Sequence, residues 1–541
     1  MFQHFKRPLA VLALLALAAC GGGTSGNAFS GPAPSITVGG TGAPVAPQSG
    51  AAILTTIVGV GDSLTAGEQS NALMGENGTN PLSALPGGVT PATQENGFFS
   101  LLFQQVKGVS PASMYNPATS PLPLVHSPGL LAQLLPAIPA AGVPLFQTHP
   151  GCDAFNQQAY TLSGALADRV SASQSVTDVA VPGMTMHEAL YMTGPTSGPP
   201  PGPTGTAPNQ SCPGYPALPG DPTSGGLQTL VQAENTTFLP VLGGFAGSVS
   251  PLTMVNAAVS VKPTLATVLL GANDIIKFIF SAGAAPATDT PSQFQADMTA
   301  TIKALQNAGA RVVVSNLPDV LSSAQFFPGG AANPNPQSFD SQFQAFAARL
   351  GVPAAPAKVY GDALAAQLQT NYGVGLGGYL TESGFLAVLT AGLGEIKGGQ
   401  PPAVPNLDPS GPGSGVGSAY LPDAFAATAR NLNLAYNGAI AAAAAATGAP
   451  VVDLYTAFQN ITAFKYPPQF VNPPKCCFTP FGGGIFTFDG LHPSNTGYAL
   501  IANEFIKTIN AAYSLSIPAV NVPAVYNGTA PYLLPDPYAQ H

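Results

Sequence analysis

Five short apolar runs punctuate the chain, at 53–60, 176–181, 264–270, 311–315 and 450–454, each rich in β-branched residues and free of polar alternation. Uninterrupted runs of this length, closed by turn-like clusters, read as strands buried on both faces. Segments of helical period lie around and between them, at 97–106, 291–308, 338–350, an Ala-rich 423–446 and 495–513. Strands alternating with helices predict an α/β fold whose parallel sheet is covered on both sides. Ligands of such sheets bind beyond the carboxyl ends of the strands. The polar residues following each run are Asp62 and Ser63, Gly183, Gly271 with Asn273 and Asp274, Asn316, and Asp453.

Low-complexity stretches at about 194–226, 281–290, 328–337, 397–419 and 466–485 interrupt this pattern, and no internal repeat accompanies them. They read as additions to one domain. That domain is expected over 51–515, with insertions at about 71–160, 194–260, 320–420 and 456–485 and a Pro-rich tail over 516–541. The tail is expected to pack as an irregular strap or to stay mobile. Leu, Phe, Ala and Pro are frequent at 71–160 and 374–396, where they are expected to pack the insertion or to wall a pocket as a lid.

Composition narrows the function. Charged residues are 7% of the 541, against roughly 25% in an average soluble domain, and the net charge is −9. Without a basic cluster, nucleic acid is excluded as a partner. Scarce charge also disfavours strongly ionic substrates, because a cleft focuses a field only when one sign of charge is concentrated there.

The N-terminus opens with Lys6 and Arg7 before an apolar run from Pro8 to Ala19, the length of an export signal and too short to span a bilayer. Leu17-Ala18-Ala19-Cys20 resembles a bacterial lipobox, which implies a signal at 1–20, a lipid on Cys20, and an exported protein anchored in the cell envelope, expected at the outer membrane. Residues 21–50, rich in Gly, Pro, Ser and Thr, read as a flexible tether. Cys152, Cys212, Cys476 and Cys477 remain, an even number suited to disulfides in an oxidising compartment, with three connectivities open. Adjacent Cys476 and Cys477 lack metal-ligand spacing, so no metal and no cofactor is expected.

A hydroxyl becomes a nucleophile when a base takes its proton, a third group fixes the base and donors await the oxyanion. Ser63 follows a strand within GDSL, where the alternative role is helix capping. Asp489 and His492 stand three residues apart in DGLHP, so one loop delivers an imidazole and its orienting carboxylate.

GDSLTAG at 61–67, VAVPGM at 179–184, GAND at 271–274 and DGLHP at 489–493 resemble, in order, the four blocks of the SGNH/GDSL hydrolases. The resemblance implies a three-layer, flavodoxin-like fold with a five-stranded parallel sheet and long loop insertions. It also implies Ser63 as nucleophile, His492 as base, Asp489 as orienting acid, and an oxyanion hole of Ser63 N–H, Gly183 N–H and Asn273 Nδ2. Asp453 is the competing carboxylate and His187 the competing base. His187 is expected to be a polar surface residue at the start of a helix or to line the cleft, and Asp274 to cap the helix that follows it. The implied reaction is hydrolysis of a small-molecule or lipid ester, an acyl or acetyl ester of a lipid or glycan, through an acyl-enzyme. An envelope acyltransferase with the same intermediate and a non-catalytic binding lipoprotein are the alternatives.

Overall fold

The computed structural model describes residues 45–127 apart from 70–72, 75–77, 80–88, 91–92 and 117–118; 168–169; 176–191; 241–242; 253–330 apart from 284–289; 338–462; 485–532 apart from 488–489; and 536. A short 3₁₀ turn, Gly50–Leu54, precedes strand β1 (Ile57–Gly61) and the one-turn helix α1 (Ser63–Ala66). Helices α2 (Phe98–Lys107), α3 (Met186–Tyr191) and α4 (Met254–Ser260) lead to β2 (Leu265–Leu269), α5 (Ala272–Phe280), α6 (Pro291–Asn307) and β3 (Arg311–Ser315). Next come β4 (Phe326–Pro328), α7 (Phe339–Arg349), α8 (Ala354–Tyr372), β5 (Tyr379–Thr381), α9 (Glu382–Lys397) and β6 (Tyr420–Leu421). Helix α10 (Asp423–Thr447), β7 (Val451–Val452), α11 (Leu454–Thr462), α12 (Asn495–Tyr513) and α13 (Val522–Asn527) follow.

The main sheet is parallel, four strands in the order β1-β2-β3-β7, rather than the five expected. The run at 176–181 lies along the outer edge of β1 as an extended segment. It is joined by Gly59 N–H to Thr177 O at 2.9 Å, Val179 N–H to Gly59 O at 3.0 Å and Val181 N–H to Gly61 O at 3.1 Å, but it forms only one bridge, Gly59 with Asp178. Pro182 and the turn after it end the pairing before a full strand develops. The run at 53–60 likewise becomes strand only from Ile57, and β7 stops after two residues because Asp453 starts α11.

Alternate residues of the sheet face opposite cores. Val58, Val60, Ala266, Val268, Val312 and Val314 pack with buried residues of α3, α4, α5, α6 and α10. Ile57, Leu265, Leu269, Val313 and Val452 pack with α2, α12 and α13, where Phe98 and Phe505 stack with ring centroids 4.6 Å apart. Helices thus cover both faces, which is why β1 and β2 are buried at every position and apolar at all but Thr267. The helices start where their caps fall: Thr290 with Pro291 for α6, Ser338 for α7 and Ser494 for α12 each accept from a first-turn N–H.

A separate antiparallel sheet, β6-β5-β4, packs with α7, α8 and α9 around a third core, in which Phe327 and Phe385 stack at 4.0 Å. The segment 374–396 supplies β5 and most of α9 and buries Leu380, Phe385 and Val388 there. Among the described residues, no helix is long and apolar enough to cross a membrane.

The described part of the tail packs as a strap and includes a helix. Helix α13 packs in the α12 core, and Asp536, fully buried, accepts from Thr496 N–H at 2.7 Å and Thr496 Oγ1 at 2.6 Å in the first turn of α12. A carboxylate at a helix N-terminus meets both open N–H groups and the positive end of the dipole. Asp536→Ala is expected to lower the unfolding free energy by about 2–3 kcal/mol, because two buried donors lose a charged acceptor; urea denaturation of both proteins measures it.

Candidate active site

β1 ends at Gly61, and Asp62 turns the chain into α1 by accepting Leu64 N–H on Oδ1 at 3.1 Å. Ser63 is consequently the first residue of α1, and its N–H belongs to the helix-end group with no intrahelical partner. With the edge segment counted, strand order reverses between β1 and β2, the position where α/β sheets open a crevice. Gly67 closes α1 at φ 80, in the left-handed region, and a Cβ there would stand 3.0 Å from Gly97 Cα. This turn sends Glu68 back over the helix, its N–H bonding Ser63 O at 3.0 Å.

Gly183 arrives from the edge segment. Val181 N–H is held by Gly61 O, and Met184 N–H closes a turn on Val181 O at 3.3 Å with Gly183 at φ 78. Proline at the second position and a positive-φ glycine at the third are the demands of a type II turn, met here by Pro182 and Gly183. Asn273, second residue of α5, donates from Nδ2 to Met184 O at 3.2 Å and to Asp62 Oδ2 at 3.3 Å. One buried amide therefore links the Ser63 turn and the Gly183 turn across the end of β2. Both bonds are longer than the usual 2.9–3.0 Å.

His492, 4% exposed, comes from the loop before α12, where Thr487 N–H and Oγ1 both donate to its carbonyl and Phe486 bridges Pro493. Its Nε2 lies 4.0 Å from Glu68 Oε2. Tyr498 O–H donates to Glu68 O at 2.6 Å and Gln69 Nε2 to Asn495 Oδ1 at 2.7 Å, so the chain just past Ser63 is clamped to the helix just past His492. Ser63, Gly183, Asn273 and His492 accordingly gather at one end of the sheet. Asp489 and Cys20 lie outside the described residues, as do Cys152, Cys212, Cys476 and Cys477.

His187 and Asp274 sit differently from expectation. His187 is buried rather than at the surface, with Nδ1 2.9 Å from Asp297 Oδ2, because α3 is sandwiched against α6. Asp274 does not cap its own helix; its Oδ2 accepts Met186 N–H at 3.1 Å and fixes the start of α3. Glu188 adds an ion pair to Lys277 at 3.2 Å, so three polar contacts hold the helix that follows Gly183. Asp453 is exposed and engaged elsewhere, accepting from Asn316 Nδ2 at 2.8 Å and Thr456 N–H at 3.0 Å.

Two carboxyls lie beside Ser63: Asp62, already marked at the strand end, and Glu68, which the sequence did not single out. Burial pushes Asp62 up to about 7, against the lowering pull of Leu64 N–H and His492. Glu68 carried a signal, an acid five residues past the serine, but only the fold over Gly67 aims it at His492.

The Asp62 shift has a stability consequence. Native Asp62 holds its proton up to about pH 7, whereas the unfolded carboxyl loses it near 3.8. The native state thus binds more protons between these limits, and the contribution of Asp62 is fully present below about pH 4 and lost as pH rises through 7. Glu95, which burial pushes up to about 8, acts with the same sign. Asp62→Asn is expected to remove a few kcal/mol of this decline, leaving the Glu95 share; unfolding free energies at pH 4, 5.5 and 7 read the difference, and equal slopes would contradict it.

No family model, no curated protein and no solved structure matches this chain.

Proposed function

We propose that the chain is a serine hydrolase of the SGNH/GDSL type, with a three-layer flavodoxin-like fold, that cleaves carboxylic esters. The single observation that carries the reading is the Asn273 amide, which spans Asp62 and Met184 and so draws three sequence-distant blocks around Ser63. His492 beside the same turn adds the fourth.

Ser63 Oγ attacks the ester carbonyl while His492 takes its proton, forming a tetrahedral intermediate. Ser63 N–H, Gly183 N–H and Asn273 Nδ2 are the donors for the oxyanion; a full negative charge competes well with the long bonds that the amide otherwise makes. His492 then protonates the leaving alcohol, and water, deprotonated by the same imidazole, releases the acyl group. Asp489 is the orienting carboxylate in this reading. The low charge of the chain suits neutral acyl or acetyl esters of lipids or glycans, and no cofactor enters the chemistry.

Ser63→Ala and His492→Ala are each expected to reduce turnover of a short-chain nitrophenyl ester by at least about 10⁴-fold, and Asn273→Ala by about 10²–10³-fold in kcat. A fluorophosphonate should label the full-length protein at Ser63; undiminished hydrolysis by Ser63→Ala would overturn the assignment. Lipid attachment at Cys20 in the cell envelope belongs to the same proposal, and Cys20→Ala should move the protein from the membrane to the soluble fraction on cell fractionation.

A further inference from the structure

In a Ser-His-acid arrangement the acid holds Nδ1 and leaves Nε2 for the nucleophile. Here a carboxylate lies on the Nε2 side. Glu68 Oε2 is 4.0 Å from His492 Nε2, and the two side chains are only 13% and 5% exposed. The position of Glu68 is determined at both ends of its backbone unit: its N–H bonds Ser63 O at 3.0 Å, and its carbonyl accepts from Tyr498 O–H at 2.6 Å. The same residue therefore lies against the nucleophile's helix, the base and the helix that follows the base.

We propose that Glu68 is a positioning residue for His492, pairing with the imidazolium along its Nε2 edge, so that the base is held against α1 and its charged form is favoured. The proposal rests on the hydrolase reading for its catalytic meaning, although the pairing itself is a property of the fold.

The charge arriving on His492 as it takes the Ser63 proton is then met at short range in a poorly hydrated place, where an opposite charge favours the protonated imidazole. In the hydrolase reading Asp489 orients the imidazole, and among the described residues Glu68 adds a second carboxyl 4.0 Å from its Nε2. From the β1–α1 turn the other carboxyl is Asp62, which burial keeps protonated up to about pH 7. The first two turns of α12 carry no charged side chain, and neither does the segment 320–325. Asp536 of the tail is bonded to Thr496, Glu95 of the one-turn helix Gln94–Asn96 accepts from Asn96 Nδ2, and Asp274 of α5 holds Met186 N–H. Asp489 lies outside the described residues.

An imidazole favoured in its protonated form becomes a base only at higher pH, so removal of the Glu68 charge shifts activity toward acid. In the full-length protein, Glu68→Gln should move the acidic limb of the kcat/KM profile down by about one pH unit while KM changes less than about twofold. Glu68→Asp, which keeps the charge but withdraws it by one methylene, should fall between the two. An unmoved limb in Glu68→Gln, or a displacement as large in Glu68→Asp, would overturn the proposal. A readout independent of turnover separates it from the hydrolase assignment. With selectively ¹³C-labelled histidine the six imidazoles are followed by NMR, and His492 is identified by its loss in His492→Asn. In a Ser63→Ala background, Glu68→Gln should lower the titration midpoint of His492 by about the same unit. A lowered midpoint with no ester turnover in the wild-type protein retains the pairing and removes the hydrolase reading. Turnover with an unmoved midpoint does the reverse.

Discussion

The contact between the first turn of α12 and the chain immediately after α1 underlies the rest of the site. Tyr498 O–H on Glu68 O and Gln69 Nε2 on Asn495 Oδ1 join residues 430 and 426 positions apart, both bonds short, the first partly and the second fully buried. Closing a loop of that length is entropically costly, and two polar bonds worth about 1 kcal/mol each do not close it alone. The apolar packing of α12 on α2 and on one face of the sheet supplies the driving force. The hydrogen bonds then select the register, because a buried donor or acceptor left without its partner costs more than the bond returns. Hydrophobic burial brings the two ends of the chain together, and polar pairing decides which residues meet.

Around that contact the molecule arranges three cores with distinct duties. The two cores flanking the parallel sheet fix the strand ends from which Ser63 and Asn273 emerge. The third, with its own antiparallel sheet, stands on the β3-to-β7 connection and is consolidated by stacked aromatics rather than by the main sheet. It is linked to α10 and to the segment after β3 where Arg430 meets Asp319 at 3.4 Å and bonds the Tyr379 hydroxyl. This division lets a long addition grow without disturbing the strand ends.

A chain with so few charges places several of its carboxyls where water does not reach. Asp62, Asp178 and Glu95 are all pushed upward by burial, Asp178 while accepting Ala180 N–H beside β1. A buried carboxylate without a cation is expensive, and the proton is the remedy available. Asp536 meets two donors at a helix N-terminus, Thr496 N–H and Oγ1.

The amino-acid sequence by itself determined what depends on neighbours along the chain. Helices α6, α7, α10 and α12 fall within about two residues of their predicted limits, because capping residues and a 3.6-residue period are local properties. The candidates Ser63, Gly183, Asn273 and His492 likewise stood out along the chain, each in a short block at a strand end or beside a cap. Periodicity was silent where pairing is non-local. The antiparallel sheet β4–β6 consists of strands of two or three residues, too short for any pattern, and it exists only because α7, α8 and α9 bury one another against it. The run at 176–181 had the composition of a strand and stays an edge segment, since Pro182 and the Gly183 turn limit its pairing with β1. His187, polar and near a helix start, read as surface until α6 covered it with Asp297. Glu68 was one acid among many until the left-handed turn at Gly67 and the hydroxyl of Tyr498 directed it to the imidazole. Residue types and local geometry are written along the chain; which side chains share a dielectric, a proton or a charge is decided when segments hundreds of residues apart exclude water together.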